Sequence, residues 1–410
     1  MDAQGLHTHI DTDGNLLHGR WFDDLDVFHK GLARACDAQG WYHVDFWGNA
    51  AYARRFASVE PFYNGQARVG TVGGGLEVIA EDGTTLHTLR PERHTTLHRL
   101  SADMVGFWRT QVIRAGVKLG VFEALPATME HVATHTGLHA DMARRLLRAL
   151  WELGTVQCDR DTWSVSDTGA LLTPQAKDCM AAAASLWGGD HYAQWQSLPE
   201  ILRHGHRGSG SDYFGDLSSQ AAAEYHRAIA TYARHDYAAL PQALNWSRHR
   251  TVLDAGGSSG ALLFDLLGQV PNLRGVLLDR PEVIKLTEVP TSLADRTTLA
   301  SGDLFAPWPA SADSILLARV LHDWDDDCAL QLLRHARQAL EAGGAIYVIE
   351  MVQEESHPHG ALADLNLLVM TGGRERTLEQ WASVFDGAGL ALAAVHPLNQ
   401  IASVMEVVSA

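Results

Sequence analysis

The chain has 410 residues, more than one ordinary domain holds, so two or three domains are expected. With 46 % hydrophobic and 20 % charged residues it has the material for a sizeable core, and a net charge of −17 argues against nucleic acid, whose phosphates are held by Lys and Arg. No run of about 18 apolar residues suggests a membrane span. The polar N-terminus has no charged-then-apolar leader, so a cytoplasmic location is expected, with Cys36, Cys158, Cys179 and Cys328 unpaired, scattered without metal spacing and inert.

Residues 1–97 carry a repeat. Phe28-His29-Lys30-Gly31-Leu32-Ala33-Arg34 returns as Phe62-Tyr63-Asn64-Gly65-Gln66-Ala67-Arg68, and His9-Ile10-Asp11 with Gly14-Asn15 returns as His43-Val44-Asp45 with Gly48-Asn49; both steps are 34 residues. A degenerate third copy starts at Glu77-Val78-Ile79, with Asp82-Gly83. Short β-favouring runs bounded by Gly, Asn and Asp predict hairpins that stack on one another. The pattern Phe-x-x-Gly-x-Ala followed by Gly40-Trp41-Tyr42 resembles WG-type β repeats, in about two and a half copies.

Residues 98–180 read as a small helical domain. Ser101 is expected to cap a helix whose apolar stripe runs through Met104, Phe107, Trp108, Val112, Ala115 and Leu119. Short helices follow, including ones that start near His131 and Met142, and then a β-wing over Val156–Leu172 with Asp159-Arg160-Asp161 at its tip. Helices plus a wing suggest a winged-helix module, whose usual job is DNA binding. The acidic chain and the apolar first helix favour a subunit interface instead, hence a homodimer. Residues 181–246 are expected to be helical and to roof an active site, with Trp187, His191, Trp195 and, from further along, Asn366 and Met370 as substrate-facing candidates. Gly208-Ser209-Gly210-Ser211 reads as a mobile loop.

From residue 247 onward apolar runs at Val252–Leu253, Gly275–Leu278, Ile315–Leu317 and Ala345–Ile349 alternate with helical stretches. That alternation predicts an α/β, Rossmann-like, doubly wound parallel sheet, closed by an antiparallel hairpin over Leu390–Val395 and Ile401–Val408. Ligands of such sheets sit beyond the carboxyl ends of the strands. Asp254-x-Gly256-Gly257-x-x-Gly260 falls there, with glycines that let the backbone approach a ligand and a helix N-terminus behind them. Asp279, at the end of the next strand, can take ribose hydroxyls, and Asp303, at the end of a third, can accept from an exocyclic amine. The set reads as adenosine recognition; a dinucleotide is disfavoured because Gly-x-Gly-x-x-Gly is not satisfied.

Residues from about 100 to 410 resemble the S-adenosylmethionine-dependent small-molecule O-methyltransferases. The resemblance is carried by Val252-Leu253-Asp254-x-Gly256-Gly257-x-x-Gly260, Leu278-Asp279-Arg280-Pro281, Gly302-Asp303-Leu304-Phe305, Arg319-Val320-Leu321-His322-Asp323-Trp324 and Gly372-Gly373-Arg374-Glu375-Arg376-Thr377. It implies S-adenosylmethionine as cofactor and S-adenosylhomocysteine as product. It further implies Asp279 on the ribose, Asp303 and Leu304 on the adenine, Trp324 nearby, and Arg319 among the cofactor-binding residues. His322 is implied as general base, with Glu350 and Glu375 orienting or flanking the imidazole. Ser258 stands where the family commonly has a third glycine, and Ala318 where a lysine often stands; the WG-like segment is not part of the family pattern.

A neutral hydroxyl is a poor nucleophile, so a base titrating near neutrality fits this chemistry, and a carboxylate beside it fixes the tautomer and stabilises the imidazolium. No bound metal is expected, because the pairs His7/His9, His204/His206 and His357/His359 lack a second ligand pair. The expected reaction is methyl transfer to a hydroxyl or carboxyl of a secondary metabolite. The alternatives are N-, S- or C-methylation, a peptide precursor recruited by the N-terminal repeat, and, in another class, a non-catalytic winged-helix regulator. No nucleic-acid or membrane partner is expected.

Overall fold

The computed structural model describes residues 5–92, 96–205, 213–215, 217–354, 360–399 and 402–410. The loop 208–211 and the histidines His206, His357 and His359 lie outside the described residues. The chain forms two compact units, one running through Gly106 and the other made of Phe107–Glu355 and Gly360–Ala410.

In the first unit the 34-residue step is a structural period. One three-stranded sheet contains Asp24–Leu25, Ala33–Asp37 and Gly40–Val44; a four-stranded one contains Ser58–Val59, Gln66–Gly70, Leu76–Ala80 and Thr85–Arg90. Lys30-Gly31 and Asn64-Gly65 turn two hairpins with φ of 52°, 91°, 53° and 75°, the double positive φ of the turn that matches strand twist. Asp11 Oδ1 accepts from Asp13 N and Asn15 N at 2.9 and 2.8 Å, and Asp45 Oδ1 from Trp47 N and Asn49 N at the same distances. The histidines repeat as well. His9 Nε2 meets the Asp26 carbonyl at 2.8 Å and His43 Nε2 the Glu60 carbonyl at 2.9 Å. Burial pushes the His43 imidazole down to about 4, so it is a neutral core group. Phe22, Tyr42, Phe56, Phe62, Val69 and Ile79 fill the interior.

Ser101 does not cap a helix. It lies inside Thr96–Met104, and a separate helix, Phe107–Lys118, follows Gly106. The stripe predicted across residues 104–119 is therefore split, because Gly106 N turns back to the Asp103 carbonyl at 3.2 Å instead of extending the helix. The second unit continues with helices Met129–Thr136 and Ala140–Glu152 and a hairpin of Val156–Asp159 with Thr162–Val165, to which Ala127–Thr128 adds a third strand. Arg160, with φ of 54°, makes the tip predicted at 159–161. Val121, Phe122, Leu147, Leu150 and Trp163 form the core of this part.

Helices Ala181–Leu186, Leu198–His204 and Ser219–Asp236 lead into a seven-stranded sheet. Its order is Thr297–Ser301, Arg274–Asp279, Thr251–Ala255, Ala312–Ala318, Leu340–Glu350, Ser403–Ser409, Leu390–Pro397. The first five strands are parallel, and the last two form the predicted antiparallel hairpin. Strand order reverses beside Thr251–Ala255, which opens a crevice at the carboxyl ends of the strands. Leu253, Ile315, Leu317, Ile346 and Val348 pack one face, and Val252, Leu277, Leu316, Tyr347 and Ile349 the other. Coverage on both faces explains why these strands read as continuous apolar runs rather than alternations.

Candidate active site

A cavity of about 310 Å³ occupies the crevice. Each parallel strand delivers residues to it as the chain leaves the sheet: Asp254 with Gly256 and Gly257, then Asp279 with Arg280, then Asp303 to Phe305, then Ala318 to Val320 with Asp323 and Trp324. Helix Ser219–Asp236 covers it with Tyr225, Ile229 and Ala233, four residues apart and thus on one face, together with His226 and Ala230.

The glycine turn is shaped by close approach. A Cβ on Gly257 would lie 2.4 Å from Asp254 Oδ2 and 2.5 Å from Leu277; Gly256 holds φ of 73° with Val320 2.9 Å from where its Cβ would be. Gly260, with φ of 80°, caps helix Ala261–Gln269 and does not line the cavity. Ser258 takes φ of 57°, a left-handed conformation that costs a side-chain-bearing residue on the order of 1 kcal/mol. Its N–H donates to Asp279 Oδ2 at 2.8 Å, and Arg280 N donates to Asp279 Oδ1 at 2.7 Å. Burial pushes Asp279 up to about 6 in spite of these bonds, and pushes Asp254 up to about 7, with Asp279 adding to the effect. Both Asp254 oxygens are buried without a hydrogen-bond partner among the described residues, and an unpaired buried carboxyl is costly. A polar ligand in the crevice would relieve that cost, and a purine nucleoside with a charged tail suits acids spaced along a glycine-lined wall. Asp303 stands two residues beyond its strand rather than at its end and accepts from Phe305 N at 2.9 Å. Trp324 meets Phe305 edge-on at 4.7 Å and so walls the same end of the cavity.

His322, Glu350 and Glu375 come together as one buried cluster beside the cavity. His322 Nδ1 is 3.5 Å from Glu350 Oε2 and 3.6 Å from Glu375 Oε1, at the outer edge of hydrogen-bond reach. Its Nε2 is 3.7 Å from Asp323 Oδ1. None of the three lines the cavity; Arg319 and Asp323, which contact them, do. Arg319, left-handed at φ of 55°, donates to Glu375 at 2.8 and 3.2 Å and to Glu350 at 3.4 Å. Burial works against ionisation of Glu350, Glu375 and Arg319. At Glu375 the His322 and Arg319 contacts outweigh it and hold the carboxyl low, whereas at Glu350 burial prevails and the carboxyl is raised. Burial also pulls on Arg319, but the two glutamates keep its guanidinium protonated. Asp323 is pushed up to about 7 by burial, against the pull of Arg319.

The donor atoms of His322, Glu350 and Glu375 all lie within 4.8 Å of one another, close enough for a cation. Arg319 already engages both carboxylates, so the cluster carries its own positive partner.

The backbone around His322 is clamped from three sides. Glu350 Oε1 accepts from Leu321 N and His322 N at 3.0 and 3.3 Å. Arg374 N donates to the His322 carbonyl at 2.8 Å, and a Cβ on Gly373 would fall 2.0 Å from that same oxygen. Arg376, 1 % exposed, donates to the carbonyls of Leu321 and Trp324 at 3.2 and 2.8 Å. Sequence reasoning gave Arg376 and the cavity-lining Tyr237 no role; it placed Tyr225 and His226 only in the aromatic stretch expected to roof the site, and Ser258 only as a departure that alters cofactor contacts. Arg376 stood within a quoted motif, but its partners are two carbonyls and the carboxylate of Asp326, 50 residues away, which no local pattern marks.

The five substrate-facing candidates do not line the cavity. Trp195 Nε1 donates to Asn366 Oδ1 at 3.1 Å, and His191 Nε2 meets the Tyr213 hydroxyl at 3.1 Å. Trp187 Nε1 donates to the Tyr232 hydroxyl at 2.9 Å, and Met370 packs with Ile201 and Tyr213. Together they form an aromatic cluster that reaches the cavity through Phe214 and Tyr225. Burial pushes His191 down to about 4, so it enters that cluster uncharged.

Sequence models of known families match in two places, the O-methyltransferase dimerisation domain over residues 103–177 and the O-methyltransferase domain over 209–391. A phenazine O-methyltransferase of Lysobacter antibioticus is 30 % identical over 320 residues, covering 74 % of this chain and 93 % of the relative. The chain belongs to the S-adenosylmethionine-dependent small-molecule O-methyltransferases. The solved structure of an O-methyltransferase from neocarzinostatin biosynthesis, in complex with S-adenosylmethionine and 2-hydroxy-5-methyl naphthoic acid, superimposes on this methyltransferase with a TM-score of 0.65. It is 28 % identical, and the match spans 78 % of this chain and all of that one. The methyl donor is S-adenosylmethionine. An aclacinomycin 10-hydroxylase of Streptomyces purpurascens is also 32 % identical over 284 residues, covering 65 % of this chain and 76 % of the relative.

Proposed function

We propose that this enzyme methylates a hydroxyl, or a carboxyl, of a small aromatic secondary metabolite, with His322 as general base. The observation that carries the reading is the buried His322–Glu350–Glu375–Arg319 cluster set directly against the cavity wall. The donor supplies a methyl group activated by a sulfonium. Asp279 would hold its ribose, Asp303 and Leu304 its adenine with Trp324 alongside, and the Asp254 to Gly257 turn its amino-acid end.

The chain's own residues account for the rest. His322 Nε2 takes the acceptor proton while Nδ1 faces the two glutamates, whose charge stabilises the imidazolium that results. Arg319 pairs with both glutamates and, with His322, holds the Glu375 carboxyl low against burial. The aromatic cluster of Trp187, His191, Trp195, Asn366 and Met370 would shape the acceptor's seat, and its uncharged, apolar character suits a flat ring system. The relatives above act on phenazine and naphthoate frameworks, which agrees with such a seat and gives no support to a peptide acceptor. The domains follow the division 1–97, 98–180, 181–246 and 247–410, with the second, winged-helix-like part forming a homodimer and the WG-like repeat an addition to the family plan. Among the described residues no helix is long and apolar enough to cross a membrane.

The deciding test is His322→Ala. Turnover should fall by a factor on the order of 10² to 10⁴, with S-adenosylhomocysteine binding retained by calorimetry. Wild-type turnover would remove the base assignment and leave proximity as the source of rate.

A further inference from the structure

The roof helix and the glycine turn are joined by one hydrogen bond that neither the adenosine-binding acids nor the acid–base cluster uses. His226 Nδ1 lies 2.7 Å from Ser258 Oγ, and both residues line the cavity. His226 is 9 % exposed, and burial pushes its imidazole down to about 4, so at neutral pH it is uncharged, with one ring nitrogen free to accept and the other to donate. Ser258 is the departure from the family's third glycine, and it pays for its side chain with a left-handed backbone. That backbone directs its N–H to Asp279 Oδ2.

We propose that His226 is a positioning residue for the cofactor: through Ser258 it ties the roof helix to the glycine turn and fixes the Asp279 carboxylate that receives the ribose. Helix Ser219–Asp236, Ser258 and Asp279 then form one hydrogen-bonded chain, and the side chain at 258 has a use that glycine could not supply. The chain closes over the donor's seat from above, where the strand tips alone leave it open. The inference rests on the reading of this cavity as the cofactor's seat.

The test is a double-mutant cycle read by calorimetry of S-adenosylhomocysteine binding, which needs no turnover. His226→Ala and Ser258→Ala should each weaken binding roughly tenfold, and the double variant should be no weaker than either alone. His226→Asn, which can still reach Ser258 Oγ, should recover most of the affinity. In steady state the loss should appear in the cofactor KM rather than in the acceptor KM, a split that a general loosening of the fold would not give. Should His226→Ala fail to fold, His226→Phe, which keeps the ring's bulk without a hydrogen-bonding nitrogen, takes its place in the cycle. The tether is overturned if His226→Ala binds within twofold of wild type, or if the two losses simply add. Asp279→Ala separates the two levels: if it weakens binding while the His226 variants do not, only the tether falls, and if it too binds like wild type, the assignment of the seat falls with it.

Discussion

The N-terminal unit and the methyltransferase sheet build their polar contacts in opposite ways. In the repeat unit each turn is closed by its own residues: Asp11 serves Asp13 and Asn15, and Asp45 serves Trp47 and Asn49. At the sheet the contacts that build the site run between segments distant in sequence. Glu350 holds the backbone of residues 321 and 322, Arg319 spans to Glu375, and Ser258 reaches Asp279. Local closure can be duplicated by copying a stretch of sequence, whereas the site exists only when several strands end at one place. Damage should follow the same division, confined in the first unit and propagating in the second.

The sharpest way to break the contrast is Glu350→Ala. It leaves the Arg319 guanidinium short of a partner and the backbone of the His322 turn without an acceptor, in a fully buried setting. Loss of stability should be about 3–5 kcal/mol, measured by chemical denaturation, with methyl transfer lost as the His322 turn loosens. A loss under about 1 kcal/mol would mean that the cluster is as locally sealed as a repeat turn.

A gentler probe is pH. Asp279 has its pKa raised to about 6 in the folded protein from the usual value near 4. A carboxyl raised on folding favours the folded state below the unfolded pKa and loses that contribution as pH rises through the folded value. The ligand-free protein should therefore lose stability from this group between about pH 4 and 6. The ionised carboxylate is the form that accepts from ribose, so S-adenosylhomocysteine affinity should rise over the window from pH 5 to 7, by calorimetry, and flatten above it. Asp279→Asn should reduce the slope and leave the part contributed by Asp254, which burial raises to about 7.

The smallest effect is expected from Asp45→Ala, which removes three hydrogen bonds of one exposed turn. A cost of about 1 kcal/mol in thermal unfolding, with methyl transfer at the wild-type rate, is expected. A large loss of turnover would show that the repeat unit is coupled to the chemistry.

The same division governs what was legible in the sequence. The repeat and its turns could be read because the sequence recurs at a fixed step and each Asp that closes a turn lies within four residues of its partners. The parallel strands could be read because burial on both faces makes their apolar runs continuous, and the acids at or just beyond their tips followed. Asp303 was placed two residues early, since nothing in Gly302-Asp303 marks where pairing stops. Ser101 misled because its capping propensity is a local preference, while the helix break was set by Gly106. Tyr225 and His226, noted within the aromatic stretch, were not singled out as site residues, because helical spacing identifies a buried face but not whether core or cavity lies beneath it. The substrate candidates, chosen as aromatics next to the fold, did gather into one cluster, yet outside the donor cavity.

One absent side chain has a reach beyond its size. Because even a methyl group at position 373 would collide with the His322 carbonyl, the seat of the proposed base is set by a residue that offers nothing to vary. The aromatic cluster around Trp195 and Tyr213 is under no such restraint. With that cluster as the proposed acceptor seat, preference would drift by exchange of its rings while the proposed proton-transfer apparatus stays where it is, the division of labour expected of an enzyme whose relatives methylate many different frameworks.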